Sequence, residues 1–94
     1  MIVWTEQATQ HLDQVRDYIA LSNGENVAVQ VAVRVVTSVQ RLTTFPMSGR
    51  AGRVRGTREL VISNSPFIVA YSIENERIVI LAIYHGAQKW PEAF

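Results

Sequence analysis

The chain has 94 residues, 48% of them hydrophobic and 18% charged, with nine basic and eight acidic side chains and a formal net charge of +1 at pH 7. That is enough for one folded domain (residues 1–94) with a modest core, and too apolar and too weakly charged for a disordered chain. The absence of cysteine excludes a disulfide framework and thiolate metal sites, and no run approaches the ~18 apolar residues that span a bilayer.

The start, MIVWTEQ, lacks the basic region and apolar run of a signal peptide, so a cytoplasmic location is expected. Ile2, Val3 and Trp4 read as a first strand. Thr5 then offers a hydroxyl to the free N–H groups of a helix start, with Glu6 well placed in the first turn. Ala8, Leu12, Val15 and Ile19 follow at helical spacing, while Asp13, Arg16 and Asp17 lie off that stripe and face water. Ser22-Asn23-Gly24 ends the helix, because Asn and Gly tolerate a left-handed cap.

Glu25 to Thr44 carries two patterns. Val27, Val29, Val31, Val33 and Val35 alternate as in a strand, yet Ala28, Ala32, Val35, Val39 and Leu42 form a helical stripe. About 17 residues without a break exceed an ordinary strand, so length predicts a second helix, antiparallel to the first. Small Ala28 and Ala32 let the two backbones approach closely. Phe45-Pro46 stops this helix, since the residue before proline is pushed out of helical geometry.

Phe45 to Ile62 then reads FPMSGRAGRVRGTRELVI and holds Arg50, Arg53, Arg55 and Arg58 among glycines. Pro46 to Arg58 contains no acid and carries +4, while the rest of the chain carries −3. Such a patch faces phosphate or carboxylate, in nucleic acid or an acidic protein, unless it is only a solvated loop. Three strands follow: Thr57 to Ile62, Phe67 to Ile73 and Arg77 to Tyr84, separated by Ser63-Asn64-Ser65-Pro66 and Glu74-Asn75-Glu76. The run IVILAIY is apolar on both faces and suggests a central strand. His85 and Gly86 end the sheet. The order predicts an α+β fold: an N-terminal strand, then an antiparallel helical hairpin packed on one face of a mainly antiparallel four-stranded sheet. The other face would be a shallow concave site with the arginine loop on its rim.

Gly49, Gly52 and Gly56 do not make a phosphate-binding P-loop, because no Lys-Ser/Thr pair follows and the loop leads into a strand. No cofactor is implied and no metal site is expected, since His11 and His85 lack partners at ligand spacing. No Gly-x-Ser-x-Gly elbow is present. Arg58, Glu59, Tyr71, Tyr84, His85 and Lys89 remain near the sheet ends. They are the residue types of metal-free RNA cleavage, which needs a base, an acid and cations around a phosphorane. Each also has an ordinary structural use, and Glu59 could simply pair with a neighbouring arginine.

Several segments together resemble one family. They are Leu42-x-x-Phe45-Pro46, Gly49-Arg50-x-Gly52-Arg53, Gly56-Thr57-Arg58-Glu59-Leu60, Pro66-Phe67-Ile68-Val69-x-Tyr71 and Ile80-Leu81-x-Ile83-x-His85-Gly86. In order and spacing they are similar to the RelE/ParE superfamily of bacterial toxins, across nearly the whole chain. The resemblance implies the toxin of a type II toxin–antitoxin module, held silent in a hetero-oligomer with its antitoxin and without contact to membrane. It also implies one of two activities. ParE-like members act by binding DNA gyrase, whereas RelE-like members are ribosome-dependent, metal-free endoribonucleases that cut mRNA. Ile68 stands where the ribonucleases carry an arginine, and Phe94 is the nearest counterpart of their C-terminal tyrosine. The run Leu81-x-x-x-His85 is closer to ParE-like members. Gyrase inhibition is therefore the first expectation, with Arg50, Arg53, Arg55 and Arg58 as target contacts. mRNA cleavage is the alternative, with Arg58, His85 and Lys89 as catalytic candidates, and a decayed toxin that only binds antitoxin is a third.

Overall fold

A computed structural model describes residues 1–86 and Phe94. Strand β1 (Ile2–Trp4) leads into helix α1 (Glu6–Asn23), which turns directly into helix α2 (Glu25–Gln40). A 3₁₀ turn (Arg41–Thr43) follows, then β2 (Arg50–Ala51), β3 (Arg58–Val61), β4 (Phe67–Glu74) and β5 (Arg77–His85). The sheet order is β1-β5-β4-β3-β2, with β1 parallel to β5 and the other pairs antiparallel.

Both helices form where the sequence places them, except that α2 tightens into the 3₁₀ turn at Arg41 before reaching Phe45-Pro46. Thr5 caps α1, its Oγ1 accepting from the Ala8 N–H at 3.1 Å. Gly24, at φ +95°, ends α1 and begins α2; its N–H donates to the Ala20 carbonyl and its carbonyl accepts from Ala28. In α2 the helical reading wins over valine alternation. Ala28, Val35, Val39 and Leu42 are buried, whereas Val27, Val29 and Val33 are exposed. Ala28 is fully buried while Ala32 is only half-buried, so of the two small residues Ala28 is the one enclosed by the core.

The sheet has five strands where the sequence suggested four. The additional one is β2, a two-residue strand inside the arginine loop, with Arg50 opposite Glu59 and Ala51 opposite Arg58. Two residues carry no periodicity, so this pairing follows from loop closure. A second feature explains why β5 is apolar on both faces. Ala70 pairs with Ala82 but Tyr71 with Ile80, which leaves Leu81 as a bulged extra residue. The bulge flips the side-chain phase. Ile78, Ile80 and Ile83 consequently all join the core beneath the helices, and Ala82 and Tyr84 pack together in a second cluster with Ala70.

Thr5 holds that bulge, its hydroxyl donating to the Ile80 carbonyl at 2.8 Å and approaching that of Leu81 at 3.3 Å. Beyond β1, the Ile83 N–H donates to Nδ1 of His11 on α1 at 3.1 Å. The first two turns of α1 thus complete an edge that the short β1 leaves open. At the far end of the sheet, Asn75 and Glu76 both adopt positive φ (51° and 65°), the geometry of a tight hairpin turn matched to strand twist.

Candidate functional site

The arginine loop is an ordered platform. It starts from a turn in which Phe45 N–H donates to the Arg41 carbonyl and Ser48 N–H to the Phe45 carbonyl. Tyr71, fully buried on β4, fastens that turn to the sheet. Its hydroxyl donates to the Pro46 carbonyl at 2.8 Å and accepts from the Gly49 N–H at 3.0 Å. Gly49 has to be glycine, because a Cβ there would lie 2.5 Å from the Tyr71 hydroxyl oxygen. Further along, Gly52 N–H donates to the Thr57 carbonyl, and the Thr57 N–H and hydroxyl both donate to the Val54 carbonyl.

Glu59 organises the charge. It is 2% exposed, and its Oε1 accepts from Nε and Nη2 of Arg50 at 3.2 and 3.1 Å. Oε2 accepts from the Arg53 backbone N–H at 2.7 Å, with the Arg53 guanidinium 3.7 Å away. A buried carboxylate needs such partners, and here they come from the loop that it shapes. The four arginines less this carboxylate leave the platform at +3. Arg50 and Arg53 remain about half exposed while engaged with Glu59. Arg55 projects into water from the loop tip, beside Gly56 at φ +80°. Arg58 turns inward: Nη2 donates to the carbonyls of Met47 and Gly49, and its buried Nε meets no acceptor among the described residues.

His85 lies at the opposite end of the helix-facing row of the sheet. It is opposite Phe67 across β4 and β5, with the rings edge-on at 6.0 Å, whereas Arg58 is opposite Tyr71. Phe67 and Tyr71 are four residues apart on β4, about 13 Å at ~3.3 Å per residue. The Arg58 guanidinium is also turned toward the loop. Arg58 and His85 are therefore not brought together, and Lys89 lies outside the described residues.

The feature with no signal in the sequence is a groove of about 620 Å³ beside His85, between the helical hairpin and the β3–β4 turn. His11, Tyr18, Ile19, Val31, Phe67 and Ile83 line much of it. Lining residues come from both helices and the sheet, so no local pattern could mark it. This groove lies on the helix side of the sheet, away from the arginine loop, whereas the sequence suggested a shallow site on the open face. Burial lowers the pKa of His11, in keeping with its Nδ1 accepting a hydrogen bond as a neutral ring. Burial also raises that of Tyr84, whose ring lies 5.5 Å from His11 and 6.1 Å from Phe94. Among the described residues no three His, Asp or Glu side chains stand together as metal ligands, and no helix is long and apolar enough to cross a membrane.

Residues 2–90 match the family of the ParE toxin of type II toxin–antitoxin systems, parDE. The chain is 38% identical over 91 residues to a Sinorhizobium fredii protein, the candidate toxin Y4kP, covering 97% of this chain and 93% of the relative. It is 31% identical over 87 residues to Toxin RelE2 of Caulobacter vibrioides, covering 93% and 96% respectively. Among solved structures it resembles a chain of a chromosomal ParDE toxin–antitoxin system from P. aeruginosa. There the TM-score is 0.83 at 27% identity, over 89% of this chain and 92% of the other.

Proposed function

This chain belongs to the ParE toxin family of type II toxin–antitoxin modules, and we propose that it arrests growth in the cytoplasm by binding DNA gyrase until a cognate antitoxin silences it. The observation that carries a binding mechanism over RNA cleavage is the separation of Arg58 from His85. Metal-free cleavage of RNA needs a base, an acid and a cation converging within hydrogen-bond reach of one phosphate. Here the two described candidates are about 13 Å apart along β4, and Arg58 donates to loop carbonyls.

The antitoxin has a natural seat in the groove between the hairpin and the sheet. An amphipathic segment laying apolar side chains against Tyr18, Val27 and Val31, which are open to water along this groove, would bury the surface that supplies most of the affinity. Exposed ion pairs to arginines add only about 0–1 kcal/mol each. In this reading Arg50, Arg53 and Arg55 are target contacts, and Arg58 holds the loop that presents them. The test is brief induction of the toxin in growing cells, with separate assays for gyrase-linked DNA breaks and for cut mRNA. DNA breaks with intact mRNA, and toxin captured by purified gyrase, are the expected result. Absent gyrase binding at micromolar toxin, together with ribosome-dependent mRNA cuts, would install the ribonuclease alternative.

A further inference from the structure

A second surface lies four residues along β4 from Phe67 of the groove, where Tyr71 fastens the loop turn. Phe45 and Met47 flank Pro46 and are each 63% exposed. A single exposed apolar side chain is ordinary on a protein surface. These two share one turn, and that turn is fixed at every residue from Phe45 to Gly49. The Arg41 carbonyl holds Phe45, the Tyr71 hydroxyl holds Pro46 and Gly49, the Arg58 guanidinium holds Met47 and Gly49, and Ser48 closes back on Phe45. Two large apolar side chains are thus presented to water on a backbone already ordered, so little further ordering cost remains when they are buried by a partner.

Their surroundings are cationic. From Asn26 to Arg58 the chain contains six arginines and no acid, and the first acid beyond, Glu59, is buried beneath Arg50. Arg41, Arg50 and Arg58 all adjoin the turn in sequence or by hydrogen bond. Aromatic, methionine and arginine side chains are the types enriched where proteins bury energetic anchors. Nucleic acid fits less well, because what the turn itself presents is two large apolar side chains and no cation.

We infer that the Phe45–Met47 turn is the anchor by which this toxin docks on its target, a protein surface with an apolar pocket and an acidic rim. This rests on the binding mechanism proposed above and on the groove being the antitoxin's seat. The distance between the two surfaces lets one chain offer a separate face to each partner.

The experiment compares the parent chain with Phe45→Ser/Met47→Ser, with Phe45→Ser alone, and with Leu21→Ser, an apolar change at a still more exposed position on α1. Thermal melts of each establish folding; both turn residues are exposed, so the midpoints should stay close to the parent's. Growth inhibition is titrated against induced protein level, and binding is measured to purified gyrase, to the purified antitoxin encoded beside the gene, and to a single-stranded RNA oligonucleotide. The double variant should need at least about tenfold more protein to arrest growth. It should keep parental antitoxin affinity, and Leu21→Ser should be unchanged. If the parent does not bind gyrase but the double variant still loses toxicity, gyrase is the wrong target and the docking turn stands. Full toxicity of a folded double variant would overturn the inference and leave gyrase inhibition intact. Loss of antitoxin affinity, or of RNA binding, in place of target binding would overturn it as well.

Discussion

Replacing Tyr71 with phenylalanine removes one oxygen and leaves every carbon of the core in place. That oxygen makes two hydrogen bonds which nothing else in the loop replaces: it donates to the Pro46 carbonyl and accepts from the Gly49 N–H. Gly49 is buried, so its stranded N–H should cost about 1–3 kcal/mol, while the half-buried Pro46 carbonyl can turn partly to water and should cost less. A loss of about 2–3 kcal/mol follows. At ~4–8 °C per kcal/mol for a domain of this size, the melting midpoint should fall by about 8–24 °C. Circular dichroism melts measure it, and amide exchange at Gly49 should quicken, because the turn loses its fastening to the sheet. A midpoint within about 4 °C of the parent would refute the reasoning. It would mean that water or a shifted carbonyl takes over the hydroxyl's role, and that the turn does not depend on β4 for its shape.

Three further outcomes are expected. Ala28→Leu should cost on the order of 1–3 kcal/mol by overpacking the core around this fully buried position, and Ala32→Leu clearly less; equal midpoints for the two variants would refute the reasoning from burial. His11 is a base whose folded pKa lies below its ordinary 6.5, so the unfolded chain binds the proton more readily. Its contribution is complete above about pH 6.5 and is lost as pH falls toward the lowered folded value. Melts from pH 8 to 5.5 should show this decline, and His11→Gln should flatten it; an unchanged slope in the variant would assign the decline to other groups. His85→Ala should reduce toxicity only as far as it weakens partner binding. A ~10²–10⁴-fold loss with gyrase and ribosome binding intact would identify a general acid or base instead.

Much of this protein is written in local patterns. Thr5, Gly24 and Phe45-Pro46 mark helix ends through backbone rules that act within a few residues. The stripe Ala28, Val35, Val39 and Leu42 is long enough to settle α2 as a helix despite its alternating valines. The three later strands begin and end within one residue of their expected limits, because their turns carry Asn, Ser and Pro. Four arginines in a glycine-rich loop are likewise legible as a charged patch.

What each arginine does is not legible, since it depends on partners from distant elements. In the sequence Arg58 is one of four target-contact candidates, yet tertiary structure turns it inward to the carbonyls of Met47 and Gly49. That Glu59 pairs with a neighbouring arginine could be read from the sequence, but only the closing of the loop over it makes it a buried carboxylate held by Arg50 and by the Arg53 N–H. Strand β2, the Leu81 bulge and the groove beside His85 have the same origin. Each arises where segments far apart in sequence meet, and composition and periodicity report only on neighbours along the chain. The sequence by itself therefore determined the two helices and the four strands other than β2. Tertiary packing decided which charges are spent on scaffolding, which are left for a partner, and where the cavity lies.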